Sequence, residues 1–117
     1  MTVLRIVANL WAAEPEKARA FYGDLFGLDI LMDHGWIVTF GAGASMKPQL
    51  SIASEGGSGT EVPDISIEVD NVDEVFAAAK RSGFPIVYPL TDKPWGVRRF
   101  YVRDPFGNVV NVLGHVG

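Results

Sequence analysis

PWGVRRFYVRDPFGNVVNVL, residues 94–113, decides how this chain is read. Within it, Asp104-Pro105-Phe106-Gly107 has the chemistry of a tight turn: aspartate accepts from backbone N–H groups, proline presets φ and glycine closes the reversal. Strands are therefore predicted on both sides. Over residues 97–102, alternation sets Arg99 and Tyr101 on one face and Arg98, Phe100 and Val102 on the other. In the return strand Val109, Asn111 and Leu113 oppose Val110 and Val112. The face holding Phe100, Val102, Val110 and Val112 requires a core, whereas the face carrying Arg99, Tyr101 and Asn111 suits a ligand or solvent.

Upstream, residues 4–10 read as a strand with β-branched Ile6 and Val7. Pro15 suits a first helical turn, and Ala18, Phe21, Tyr22, Leu25 and Phe26 follow at helical spacing to a left-handed cap at Gly27. This predicts an amphipathic helix lying on a sheet, with Phe21 and Tyr22 in the core. Residues 29–33 and 36–40 form a hairpin across His34-Gly35, a Gly-rich loop occupies residues 41–47, and residues 49–53 make a further strand. Residues 55–60, EGGSGT, read as a linker.

After the linker the order repeats. A strand at 65–69 is followed by Asn71 and Glu74 at the spacing of a capping box. Val72, Val75, Phe76 and Ala79 make the buried stripe of a helix that Gly83 ends, and a strand at 85–90 leads into the hairpin. The repeat predicts two copies of one βαβββ unit within a single domain, 1–117: a first module at about 3–54, a linker at 55–61 and a second module at about 62–115.

A chain of 117 residues allows one domain, and 48 % hydrophobic content is ample for a core. No apolar run approaches a membrane span, and the N-terminus lacks the regions of a signal peptide, so a soluble cytoplasmic protein without a membrane partner is expected. The absence of cysteine excludes disulfides and thiolate chemistry. A net charge of −4 without a basic run speaks against nucleic acid. That charge is compatible with a cationic ligand and equally with solubility alone.

Trp95-Gly96, then Phe100, then Asp104-Pro105 with Gly107-Asn108 resembles the closing hairpin of the vicinal oxygen chelate superfamily, which includes glyoxalase I, extradiol dioxygenases, fosfomycin resistance transferases and bleomycin resistance proteins. The run at residues 20–28, AFYGDLFGL, resembles that family's first-helix signature. The resemblance spans roughly residues 4–114 and implies an α+β fold: two βαβββ modules forming a cup-shaped mixed sheet, helices on its outer face. It specifies fold better than function, because this fold carries many chemistries. Relatives of this length usually dimerise, so a homodimer is expected.

In metal-dependent members, His, Glu or Gln side chains on the first and last strands of each module point into the cup. The corresponding positions here are Val7, Asp64 and Asn111. Val7 has no donor atom, Asn111 is a weak neutral ligand, and Asp64 is the one reasonable donor. Divalent transition metals want three or more His or carboxylate donors within about 2.0–2.2 Å of one point. The two histidines, His34 and His115, lie in a turn and beside the C-terminus. Asp64 and Glu68 share a strand face but are about 13 Å apart along it, too far to share an ion. No cofactor is therefore expected, with a divalent metal held through Asp64 as the alternative.

The expected cup lining is Val7, Asn9, Asp64, Ser66, Glu68, Arg99, Tyr101 and Asn111, with Trp11, Trp36 and above all Trp95 offering flat surfaces to a planar ligand. Tyr101 matches a substrate-contacting tyrosine of the fosfomycin-modifying relatives, although an aromatic also simply suits a strand. Glu68 and Arg99 are expected to form an internal ion pair; a half-buried Glu68 with a raised pKa is the other reading. Phe106, where the family has a polar residue, is explained by a dimer contact, a ligand cover or plain surface exposure.

Three functions compete: a metal-free protein that sequesters a small aromatic or cationic compound such as an antibiotic; a metal-dependent lyase, isomerase or dioxygenase with atypical ligands; and metal-free acid–base catalysis by Asp64, Glu68 or Tyr101. The first accounts best for the missing metal donors.

Overall fold

In the computed structural model, which describes residues 1–43 and 49–116, the strands are β1 (Val3–Trp11), β2 (Asp29–Asp33), β3 (Ile37–Gly41), β4 (Gln49–Ala53), β5 (Ile65–Val69), β6 (Ile86–Lys93), β7 (Val97–Arg103) and β8 (Val109–His115). One α-helix, α1 (Val72–Arg81), lies between β5 and β6. The Gly-rich loop expected at 41–47 lies outside the described residues from position 44 onward, as does the Leu25 side chain. Strands of mixed direction with few helices make the fold α+β. No helix among the described residues is long and apolar enough to cross a membrane.

The chain forms two units, Met1–Ile6 with Pro63–Gly117, and Val7–Val62. In the first, the strand order is the start of β1, then β5, β8, β7 and β6. β5 and β8 are parallel, while β8, β7 and β6 form an antiparallel ladder. The N-terminus is tied in by Asp70 N–H donating to Thr2 O at 3.1 Å and Thr2 N–H donating to Asp70 Oδ1 at 2.8 Å.

The hairpin turn forms as its chemistry dictates. Asp104 Oδ1 accepts from the N–H groups of Phe106 and Asn108, both at 2.8 Å, and Oδ2 accepts from the Asn108 amide at 2.9 Å. These bonds, the Asn108 amide foremost, hold the Asp104 carboxyl below its ordinary value. Gly107, at φ 87°, closes the reversal, and Phe106 projects from it exposed.

Expected face partitioning also holds. Phe100 and Val112 are buried beneath α1 with Val69, Val72 and Ala79, and Val75, Phe76, Val102 and Val110 pack around them. Phe76 meets Phe100 edge-on at 5.1 Å. Asn71 caps α1 by accepting from Glu74 N–H at 3.1 Å, and Gly83 takes the left-handed conformation just beyond the helix.

The second unit orders its strands β2-β3-β4-β1, with β1 and β4 parallel. Its core is Val38, Phe40 and Ile52, with Ala18, Tyr22, Leu28 and Ile30 packed against it. The predicted amphipathic α-helix is corrected here: residues 15–17 form a 3-10 turn and residues 19–25 a π-helix. A π turn holds one residue more than an α turn and so rotates the apolar stripe. Tyr22 still packs on Phe40, at 5.9 Å, but Phe21 is 52 % exposed rather than core.

Residues 55–60 are a folded loop. Gly56 N–H donates to Thr60 O at 2.8 Å, Gly59 N–H donates to Glu55 Oε1 at 2.9 Å, and residues 57–59 all have positive φ.

Candidate functional site

On the sheet face of the first unit opposite α1, cross-strand register lines up Ser66 on β5, Asn111 on β8, Tyr101 on β7 and Tyr88 on β6. The next row holds Glu68, Leu113, Arg99 and Thr91, and beyond it lie His115, Val97 and Lys93. Arg99, Tyr101, Ser66, Glu68 and Asn111 of the expected lining are thereby brought together.

Arg99 is the centre of this face. It is 3 % exposed, and its guanidinium carbon lies 5.0 Å from the ring of Tyr101, 5.1 Å from Trp95 and 5.3 Å from Tyr88. Rings present negative faces to a cation, and the attraction grows as water is excluded. Trp95 is delivered by the turn before β7, where Gly96 N–H donates to Lys93 O at 3.1 Å and Gly96 adopts φ 86°. Lys93 Nζ hydrogen-bonds Tyr88 Oη and lies 6.0 Å from the Trp95 ring. That hydrogen bond, with the charges of Lys93 and Arg99, lowers the Tyr88 phenol below its ordinary value despite burial.

Tyr88 and Lys93 are absent from the expected lining for a specific reason. Strict alternation would set Tyr88 with Ile86 and Leu90, which pack into the core under α1. The β6–β7 ladder instead shifts register between Ile86 and Tyr88, and again between Tyr88 and Thr91, which turns Tyr88 over to face Tyr101 at 5.5 Å. Bulges of this kind re-aim side chains. Pro89, within the second shift, is the one sequence signal that alternation fails here, since proline in a sheet marks an edge or a bulge.

The expected Glu68–Arg99 ion pair is corrected. Register puts Glu68 opposite Leu113 and Leu113 opposite Arg99, so their backbones are two strand spacings apart, about 10 Å. Glu68 pairs instead with Arg5 on the neighbouring β1 and with His115 Nδ1 at 3.0 Å. A raised Glu68 pKa is corrected with it: burial pushes the carboxyl up, but hydrogen bonds and charge from His115 and Arg5 outweigh burial and lower it. A carboxyl lowered by folding adds stability above its unfolded pKa and loses it as pH falls through the folded one. Glu68→Gln should therefore cost about 1.5–3 kcal/mol at pH 7, the range for hydrogen bonds to a charged group. The gap from the parent should begin to narrow as pH falls below the ordinary carboxyl value of 4.5 and go on narrowing down to the lowered folded one. Urea unfolding at pH 7 and at pH 3.5, where the gap should be smaller, checks this.

Asn111 is 8 % exposed; its Nδ2 donates to Ser66 Oγ at 3.1 Å, and its Oδ1 is buried without a hydrogen-bond partner among the described residues. Asp64 sits at the end of the sheet, where Oδ2 accepts Val109 N–H at 2.8 Å. Val7, Asn9 and Trp36 belong to the second unit. There Val7 is buried, and Trp36 stacks on His34 in the β2–β3 turn at 6.2 Å. Asn9 aligns with Ser51 and Thr39, whose hydroxyls share a 2.8 Å hydrogen bond that alternation did not single out.

The resemblance puts its metal-ligand positions at Val7, Asp64 and Asn111. Val7 offers no donor, Asn111 is a neutral amide, and the Asp64 carboxylate is engaged with backbone. Among the described residues no group of three or more His, Cys, Asp or Glu converges on a point.

A family model described as Glyoxalase/Bleomycin resistance protein/Dioxygenase superfamily matches residues 4–112. No curated protein sequence matches. Among solved structures the chain is similar to NAD-dependent benzaldehyde dehydrogenase from Legionella pneumophila, with TM-score 0.77 and 16 % identity over 95 % of this chain and 99 % of that one. It is also similar to a glyoxalase/bleomycin resistance protein/dioxygenase superfamily member from Vibrio splendidus 12B01, at 0.66 and 18 % over 97 % and 99 %. Methylmalonyl-CoA epimerase from Mycobacterium tuberculosis matches at 0.67 and 15 %, over 95 % and 87 %. Identities this low carry the fold alone.

Proposed function

From the premise that the chain belongs to the glyoxalase/bleomycin resistance protein/dioxygenase superfamily, we propose that it binds a small planar molecule, without a metal, on the sheet face around Arg99. The observation that carries this reading is the buried guanidinium ringed by Tyr88, Trp95 and Tyr101. A planar ligand extends such a stack, since offset or edge-on rings add about 0.5–1.5 kcal/mol beyond the area they bury. The donor set of Val7, Asp64 and Asn111 supports metal independence. A cationic ligand, compatible with the net charge, fits less well because Arg99 and Lys93 share this face; an aromatic compound, an antibiotic included, fits better.

The protein acts as a homodimer in this reading. Leu4 and Ile6 of β1 point the same way along the strand, and both are exposed, apolar side chains suited to a second copy.

Thermal unfolding of chelator-stripped protein with Mn²⁺, Ni²⁺, Zn²⁺ and Fe²⁺ tests metal independence, with light scattering on the same sample reading the oligomeric state. A metal at 100 times its dissociation constant adds about 2.7 kcal/mol, several degrees for a domain of this size. The expected result is no shift and twice the chain mass. A shift with one metal that Asp64→Ala removes would overturn metal independence and favour the metal-dependent lyase, isomerase or dioxygenase reading instead.

A further inference from the structure

We propose that two copies of this chain recognise each other through a charge-sorted contact: the Phe106 end of the first unit in one copy meets the Phe21 and Phe26 surface of the second unit in the other, twice about a two-fold axis. The inference deepens the homodimer reading and rests on it.

Ion pairing is uneven in the first unit. Arg5 and Arg98 are paired with carboxylates, whereas Lys80, Arg81 and Arg103, all exposed, have no ion pair among the described residues. Those three share one end of the unit. Lys80 and Arg81 close α1, and the chain then reaches Phe84. Ile86 pairs with Val102 and Arg103 N–H donates to Pro85 O at 3.0 Å, which lays Phe84 alongside the root of the turn that carries Phe106. Phe84 is 45 % exposed and Phe106 87 % exposed. The helix dipole accounts for Lys80 and Arg81 locally, but not for Arg103 or for two phenylalanines in solvent. The carboxylates at this end, Asp64 and Asp104, are turned on to hydrogen-bond donors of the β7–β8 hairpin.

The second unit carries the opposite pattern. Glu14 and Asp33 are paired with Lys17 and Arg19, whereas Asp24 and Asp29, both exposed, have no ion pair among the described residues. Beside them in the chain stand Phe21 and Phe26, 52 % and 60 % exposed, their rings edge-on at 5.4 Å. The π-helix that rotates Phe21 out of the core builds this surface.

Rings rimmed by unpaired cations on one unit therefore match rings rimmed by unpaired carboxylates on the other, and every copy holds both halves. Complementary potentials of this kind steer encounter and fix register. Two copies about a two-fold axis make the match twice and close, so no matching surface is left over to propagate. Like surfaces brought together would instead set cation against cation.

The test exchanges the charges on the full chain and reads the dimer dissociation constant by sedimentation equilibrium. Arg81→Glu with Arg103→Glu makes both surfaces acidic, and Asp24→Arg with Asp29→Arg makes both basic. Each variant alone should dimerise at least about tenfold more weakly than the parent, because like charges now face each other. Mixed in equal amounts, the two should form a heterodimer that recovers the parent constant to within about threefold, since opposite charges again meet at both contacts. The milder pair Arg103→Glu and Asp24→Arg repeats the exchange with one charge each, and thermal melts of every variant confirm the fold. Variants that each dimerise like the parent, or folded variants whose mixture fails to recover, would overturn the proposal and leave the homodimer standing through β1. Assembly that grows beyond two copies would overturn the closed pairing. A parent that stays monomeric sinks the homodimer reading and this contact together.

Discussion

Phe100→Ala should lower stability by about 3–5 kcal/mol, the range for truncating a buried phenylalanine, and a urea denaturation series reads the loss directly. Phe100 is 0 % exposed and is gripped from both sides: Phe76 of α1 meets its ring edge-on, and Val112 lies across the ladder in the same core. Sheet and helix cannot close over the space, because the β7–β8 pairing and the capped start of α1 hold both walls. The loss is a large share of the 5–15 kcal/mol that holds a typical domain together. Phe100→Leu, which keeps most of the apolar volume, should cost less than half as much. Equal losses from the two variants would mean that the walls collapse and that α1 is not held as described.

Trp95→Ala should weaken binding of an aromatic acid about tenfold to a hundredfold while costing under about 1 kcal/mol of stability. The asymmetry follows from position. Trp95 sits on the turn before β7, half-buried and outside the core under α1, so its removal leaves that packing intact. Its ring nonetheless forms one wall around Arg99. Losing a ring that a ligand would cover forfeits about 1.5–3 kcal/mol, and each 1.4 kcal/mol is tenfold in affinity. Calorimetric titration with phenylpyruvate, alongside thermal melts, separates the two effects. Tyr101→Phe, which keeps its ring beside Arg99, should weaken binding far less. Unchanged binding in both variants would remove the ligand from this face.

How far the chain could be read depended on the range of the interaction involved. Asp104, Gly107, Asn71 and Gly83 act on backbone groups within a few residues of themselves, so their roles were legible and the structure places them accordingly. The division of β7 and β8 into a core face and an Arg99 face was legible too, because both strands keep their period of two. The π-helix at residues 19–25 was not, since its apolar residues recur at spacings that suit an α-helix as well.

The sequence by itself determined the α+β pattern, the closing hairpin and the gathering of Arg99, Tyr101 and Asn111 on one side of the sheet, all consequences of local turn chemistry and alternation. Tertiary structure alone decided which partners those residues meet. Glu68 reaches Arg5 and His115 rather than Arg99 because neighbouring strands lie about 4.8 Å apart and Arg99 is two strands away. Tyr88 and Lys93 join the site because pairing with β7 forces two register shifts into β6, and a shift of one residue turns a side chain to the opposite face.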